Sequence, residues 1–479
     1  MTATPRLAAL IGDLGDARPA YHALAERLRL LIIDGRVLPG TRLPSERELN
    51  AALGVSRTTV TRAYDVLREK GFAVSRHGSG TLARLPDERR QLGTGVLVRG
   101  EAASGVIDLT CAATRAPAGA AQAYQWAVEQ VPAYLAGAGY FSTGLPDLRA
   151  AIAERYAARG LPTEPDQILV TSGAVAGIAV VGAALLRPGM RVVVESPTYP
   201  NSLELLRQRG IRLAPTPVDA TGWDLATTTR DIAAAAPAAA LLLPDHHNPT
   251  GAYLPDEGRE RIAAALRRAD ALPIIDETVA EVGLDNVGDA LPFASHHREA
   301  ILIGSASKTF WGGLRTGWIR APQRDIPRLL QARATTDLCA PVVEQLATLH
   351  LLRAHGGLPE ESRESLRASR DRAVAGLREH FPQWSFLVPA GGLSLWIDLV
   401  APVAPRLVHA AEGHGLLLAA GSRFAARGRL DRWLRLPYVL SPEEMDEAVR
   451  RLADAAVDAA HGQPSPAPVT ESGERPLVA

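Results

Sequence analysis

The sequence predicts two domains of different class, a small, mainly α winged helix-turn-helix at the N-terminal end and a larger α/β body. Three observations carry this expectation. Two short helical segments flank a tight turn and lead into a glycine-tipped ribbon before residue 85, strand-like runs alternate with amphipathic helical stretches from about residue 107, and charge is unevenly spread. The 479 residues exceed what one hydrophobic core usually serves, and an apolar content of 47% supports real cores. Basic and acidic residues number 52 each, yet residues 18–85 hold twelve Lys or Arg against six Asp or Glu, leaving 40 against 46 elsewhere. A basic head on an acidic body suits DNA binding by the head alone, although a solvated basic face gives the same count.

Within the head, Leu24, Leu28, Leu31 and Ile32 recur at helical spacing before Asp34-Gly35. Pro39-Gly40 turns the chain, Ser45 with Glu48 three residues on forms a capping box, and Gly54 ends the second helix. Ser56 caps a third helix that runs to about Lys70 and closes at Gly71. Alternation from Phe72 to Ser75, then Gly78-Ser79-Gly80, predicts a two-stranded wing. The head therefore spans 18–85, a linker rich in Pro, Gly and charge spans 86–106, the body spans 107–460, and the polar tail 461–479 is expected to be disordered. In the body, strands are expected at Ile168–Thr171, Arg191–Glu195, Ala239–Leu243, Leu272–Asp276 and Ala300–Gly304, in a mostly parallel sheet.

The two cysteines, Cys111 and Cys339, form no metal-ligand pattern, so no metal is expected. A soluble, cytoplasmic protein is the expectation, because the Ala-rich stretches are broken by Arg, Asp, Gly or Pro before membrane-spanning length.

A helix-turn-helix presents the start of its second helix to the major groove, where Ser56-Arg57-Thr58-Thr59 stands. Arg57 serves a guanine bidentately or a phosphate, and the hydroxyls suit close approach. The spacing equally fits a small helical domain with an ordinary N-cap. The run Leu43-Pro44-Ser45-Glu46-Arg47-Glu48-Leu49, then Leu53 to Val60, then Gly78-Ser79-Gly80-Thr81, resembles the GntR-type winged helix-turn-helix over its whole length. That resemblance implies contact with operator DNA from Arg47, Ser56, Arg57, Thr58 and Thr59, with Gly78 entering the minor groove. Thr61 departs from members that carry Arg there, so the DNA sequence read is expected to differ.

In the body, chemistry centres on a lysine. Lys70 and Lys308 are the only two in the chain, and Lys70 closes a head helix. Lys308 follows an apolar strand inside Ser305-Ala306-Ser307-Lys308, with Arg315 beyond Gly312-Gly313. Asp276 ends another apolar run, a strand-end cap by itself but also a carboxylate at the sheet edge where ligands bind. Thr171-Ser172-Gly173-Ala174 opens a helix and could hold phosphate on its amides, and Asn248-Pro249-Thr250-Gly251 reads as a turn or as a polar contact to a ring. An amine, a carboxylate, an aromatic face and a phosphate cup are what pyridoxal 5'-phosphate requires.

Together these motifs resemble the fold type I aminotransferases over roughly 107–460, and their fusion to a GntR-type head resembles the MocR family of regulators. The resemblance implies Lys308 as the Schiff-base lysine, Asp276 as the pyridine-nitrogen partner, Asn248 as donor to O3' and Tyr199 as the stacking aromatic. It implies Gly173, Ala174, Ser305 and Arg315 as phosphate ligands, Tyr140 as a tyrosine reaching a neighbouring subunit's phosphate in a homodimer, and Arg435 as the arginine for an effector carboxylate. Arg435 suits a structural ion pair as well. Thr278 departs from the family, which places Tyr two residues after the aspartate. The expected function is a transcriptional regulator sensing pyridoxal phosphate or an amino compound. A catalytic aminotransferase with a DNA-binding appendage, and a dimerisation scaffold that has lost the cofactor, are the alternatives.

Overall fold

The computed structural model describes residues 3–14, 19–33, 37, 41–76, 80–84, 105–286 and 290–461. They divide into two compact units: one takes the residues up to Cys111 with Asp398–Leu434 and those from Arg451, the other Ala112–Ile397 with Arg435–Arg450. The expected head thus shares a unit with a C-terminal segment that the sequence pattern assigns to the body. The linker from 86 lies outside the described residues as far as 104, and so does the tail from 462.

In the first unit, α1 (Ala3–Ile11), α2 (Ala20–Ile33), α3 (Glu46–Leu53) and α4 (Arg57–Glu69) precede the antiparallel strands β1 (Ala73–Arg76) and β2 (Gly80–Ala83). Leu24, Leu28, Leu49, Val60, Ala63, Leu67 and, from α1, Leu7 and Ile11 form one buried core. The helix ends follow local chemistry. Ser45 Oγ accepts from the Glu48 N–H at 3.3 Å while Glu48 accepts from the Ser45 N–H at 2.8 Å, a complete capping box. Gly54 takes the left-handed conformation, φ +68°, that stops α3 without a Cβ penalty. The short strand β3 (Ile107–Asp108) pairs in parallel with Leu416–Leu417 in the same unit.

The second unit is built on a seven-stranded sheet of β4 (Ile168–Thr171), β5 (Arg191–Ser196), β6 (Arg212–Pro217), β7 (Ala239–Leu242), β8 (Leu272–Asp276), β9 (Ile301–Ser305) and β10 (Gly317–Arg320). Its order is β4-β10-β9-β8-β7-β5-β6. Strands β6, β5, β7, β8 and β9 run parallel, as their nearly continuous apolar runs require when both faces are covered. Within this sheet β10 runs antiparallel to its two neighbours. Its first residue, Gly317, consequently pairs with the last residue of β4 (Thr171) and the last of β9 (Ser305). That register gathers the carboxyl ends of β4, β8 and β9 at one edge. Helices α5 (Ala120–Gln130), α6 (Pro146–Ala158) and α7 (Ala174–Leu185) bury Ala127, Ile152 and Val181 among others.

Candidate functional site

From β4 the chain passes through Ser172 and Gly173 into α7. Gly173 is the N-cap at φ +100° and makes no side-chain cap bond. The first turn of this twelve-residue helix thus has no side-chain cap, and the positive end of its dipole suits an anionic acceptor. Arg315, exposed and in left-handed backbone at φ +47°, donates from Nη2 to the Ser172 carbonyl at 3.1 Å. A Cβ at Gly173 would stand 2.8 Å from that Nη2. Opposite, a Cβ at Gly317 would stand 2.6 Å from the Gly173 carbonyl carbon. The two backbones thus approach this closely because Gly317 has no Cβ, while Gly173 supplies the positive φ of the turn.

Beside this turn, Ser305 Oγ accepts from the Ser307 N–H at 3.2 Å. Ser307 Oγ is buried with no hydrogen-bond partner among the described residues, which leaves a hydroxyl for a bound acceptor. Lys308 is half-buried, and its Nζ donates to the Ala112 carbonyl at 2.8 Å. Asp276, 5% exposed at the end of β8, is pushed above the usual carboxylate range by burial, against the lowering effect of its bonds from Thr278. Glu195 raises it further and the Lys308 ammonium draws it down. An anionic oxygen buried here gains from a cationic partner.

Asn248 lies in the loop after β7, where its Oδ1 accepts from Arg435 Nη1 at 3.4 Å. Arg435 itself is 2% exposed. The two residues expected to meet cofactor and effector are thereby brought together. Tyr199, the N-cap of the helix Pro200–Gln208, is half-buried, and its hydroxyl accepts from Asn201 Nδ2 at 3.0 Å. Tyr140 is 69% exposed.

Several parts have no signal in the sequence pattern. The Ala112 carbonyl comes from 196 residues before Lys308. Ser172 Oγ donates to Asp337 at 2.7 Å, and Asp337 also accepts from Arg333 Nε at 2.7 Å, which ties the turn before α7 to a distant helix. Glu195, fully buried, accepts from Trp223 Nε1 at 3.0 Å and the Leu243 N–H at 2.9 Å, with His247 Nε2 at 3.3 Å. Of these, only a Glu following the apolar run Val192-Val193-Val194 stands out as unusual.

In the other unit, Ser56 Oγ caps α4 by accepting from the Thr59 N–H at 3.0 Å, and it lies 2.8 Å from Thr59 Oγ1. Arg47, Ser56, Arg57 and Thr58 are exposed and Thr59 is half-exposed. Arg57 makes a long contact, 3.4 Å, to Glu46, with its side chain 73% exposed. Thr61 donates to the Arg57 carbonyl at 3.1 Å. Gly78 lies outside the described residues.

Residues 136–452 match the aminotransferase class I and II family, and residues 20–82 match the bacterial regulatory proteins of the gntR family. The HTH-type pyridoxine biosynthesis transcriptional regulator PdxR of Corynebacterium glutamicum is 31% identical over 73% of this chain and 76% of its own. The probable rhizopine catabolism regulatory protein MocR of Rhizobium meliloti is 26% identical over 91% of this chain and 94% of its own. Among solved structures, LysN, an α-aminoadipate aminotransferase from Thermus thermophilus, superposes with a TM-score of 0.68 at 24% identity, covering 75% of this chain and 94% of that one. Its likeness shows a shared fold. No helix among the described residues is long and apolar enough to cross a membrane.

Proposed function

This chain belongs to the aminotransferase class I and II family and carries a gntR-family regulatory head, and from that premise we propose how its two sites work as a sensor. It is a DNA-binding transcriptional regulator whose aminotransferase-like body takes pyridoxal 5'-phosphate. The observation that carries the reading is the start of α7, which has no side-chain cap and is approached by Gly317 and Arg315, together with Lys308 just after β9 and the buried Asp276 at the end of β8 in the same sheet. An oxyanion cup, an amine and a buried carboxylate are the donor set this cofactor fits.

The amides at Gly173 and Ala174, with Ser305, Ser307 and Arg315, hold the phosphate. Asp276 pairs with the ring nitrogen, Asn248 meets the ring oxygen and Tyr199 covers the ring face. Lys308 supplies the amine that anchors the aldehyde carbon. When bound, the cofactor supplies an aldehyde that exchanges between amines, which is the chemistry a sensor of amino compounds needs. Arg435 takes the carboxylate of such a compound, because its fork matches that geometry and it already touches Asn248. Tyr140, exposed in one subunit, reaches the site of a second, so the working form is a homodimer acting on DNA in the cytoplasm. Arg47, Ser56, Arg57, Thr58 and Thr59 contact the operator, and the wing glycine Gly78 enters the minor groove. The relative from Corynebacterium glutamicum, a regulator of pyridoxine biosynthesis by name, supports the vitamin itself as one effector.

The test is an absorbance titration with pyridoxal phosphate, followed by borohydride reduction and mass analysis of the labelled peptide. Label on the Lys308 peptide, lost in Lys308→Ala, is expected. Label that persists in the variant, or no label in the parent, overturns the assignment. Release of a keto acid during turnover with an amine would instead mark a working transaminase.

A further inference from the structure

Thr278 stands where the resemblance leads one to expect a tyrosine, and its side chain faces the Asp276 carboxylate. The Thr278 N–H donates to Asp276 Oδ1 at 2.9 Å and the Thr278 hydroxyl donates to the same oxygen. Neither bond uses Asp276 Oδ2. A carboxylate held twice through one oxygen has its rotation fixed and its other oxygen left for a further partner. A tyrosine at this position, whose hydroxyl lies at the far end of a ring, could not turn back onto a carboxylate two residues earlier as a threonine does.

We propose that Thr278 is a positioning residue for the cofactor site: by binding one oxygen of Asp276 it holds the carboxylate's orientation and aims the second oxygen at the cofactor's ring nitrogen. This rests on the reading that Asp276 faces that nitrogen. The need for such a device is visible in the surroundings of Asp276. Burial and the Glu195 carboxylate on β5 both favour a protonated Asp276, and the Lys308 ammonium after β9 opposes them. His247, in the loop after β7, stands against Glu195. Once Lys308 is joined to the cofactor its full ammonium charge is no longer available, and the two bonds from Thr278 remain to hold the anion.

The test compares Thr278→Val and Thr278→Ser in the full-length protein. Valine keeps the β-branched shape and the N–H bond but removes the hydroxyl; serine restores the hydroxyl. Thr278→Val should bind pyridoxal phosphate roughly tenfold more weakly, the factor that about 1.4 kcal/mol for one lost charge-assisted bond represents. The pH at which the bound cofactor changes colour should move upward, because a less anionic Asp276 leaves the ring nitrogen less often protonated and the Lys308 nitrogen more basic. Thr278→Ser should recover both properties. Parental affinity and an unshifted colour midpoint in Thr278→Val overturn the proposal. Equal impairment of both variants also overturns it, since Thr278→Ser retains the hydroxyl on which the positioning depends. The parent protein separates the two levels of failure: if it forms no borohydride-trapped bond at Lys308 the reading of the site fails, whereas a normal parent with an unresponsive Thr278→Val sinks only this inference.

Discussion

Gly317→Ala is a substitution whose effect on the cofactor cup follows directly from the geometry. Gly317 opens β10 between the last residues of β4 and β9, and an added Cβ would meet the Gly173 carbonyl carbon at 2.6 Å and the Ala174 amide nitrogen at 2.8 Å. Ordinary carbon contacts begin near 3.5 Å, so the turn before α7 must retreat by roughly 0.9 Å. Both obstacles are backbone, and no rotamer change relieves them. A retreat of that size pulls the first-turn amides out of line with a bound phosphate. Misaligning one charge-assisted bond costs about 1.5–3 kcal/mol, or roughly 10- to 100-fold in affinity for pyridoxal phosphate. The assay is an absorbance titration of parent and variant, with a melting curve and operator binding without cofactor as controls for folding. An affinity within twofold of the parent, in a variant that melts normally, would refute the argument that this turn is the phosphate cup.

Two further outcomes concern the head and a buried histidine of the body. Arg57→Ala should weaken operator binding by about 1–3 kcal/mol, unevenly among operator variants if Arg57 reads a base and evenly with a shallower salt dependence if it holds a phosphate, so unchanged binding in a gel-shift series removes both roles. Burial pushes His246 down to about 4, so the unfolded chain takes up this proton near pH 6.5 while the folded chain does not. The folded state binds fewer protons, hence its contribution is fully present above about pH 6.5 and is lost, by about 3 kcal/mol, as pH falls towards 4. Denaturant midpoints measured from pH 7 to pH 4 should fall more steeply for the parent than for His246→Asn; parallel curves would contradict the assignment.

Where a structural decision is made by neighbours in the chain, the sequence pattern reads it well. The capping box at Ser45 and Glu48, the left-handed stop at Gly54 and the cap at Ser56 each depend on three or four consecutive residues, and each lies where the pattern puts it. Strand ends are legible to within a residue or two for the same reason, with Asp276 and Ser305 closing apolar runs. Lys308 is singled out by scarcity. By contrast, α1 is not anticipated, because Ala3–Ile11 offers only Thr4 and Arg6 as polar side chains and so no clear two-sided pattern; in the fold it adds Leu7 and Ile11 to the core of the head. The importance of Gly317 depends on a register shared by three strands far apart in sequence. The Thr278 hydroxyl could have faced either the ring oxygen or Asp276, and only the folded backbone at the end of β8 decides between them.

If the body senses a ligand and the head reports it, the ligand must favour one arrangement of the protein over another. Operator affinity measured with and without pyridoxal phosphate, in the parent and in Lys308→Ala, at one fixed salt concentration, tests this directly. A cofactor-dependent change of affinity is expected in the parent, reduced or absent in Lys308→Ala. Identical affinity in all four combinations, unaltered by any added amine, would contradict it and leave the aminotransferase-like body as a scaffold.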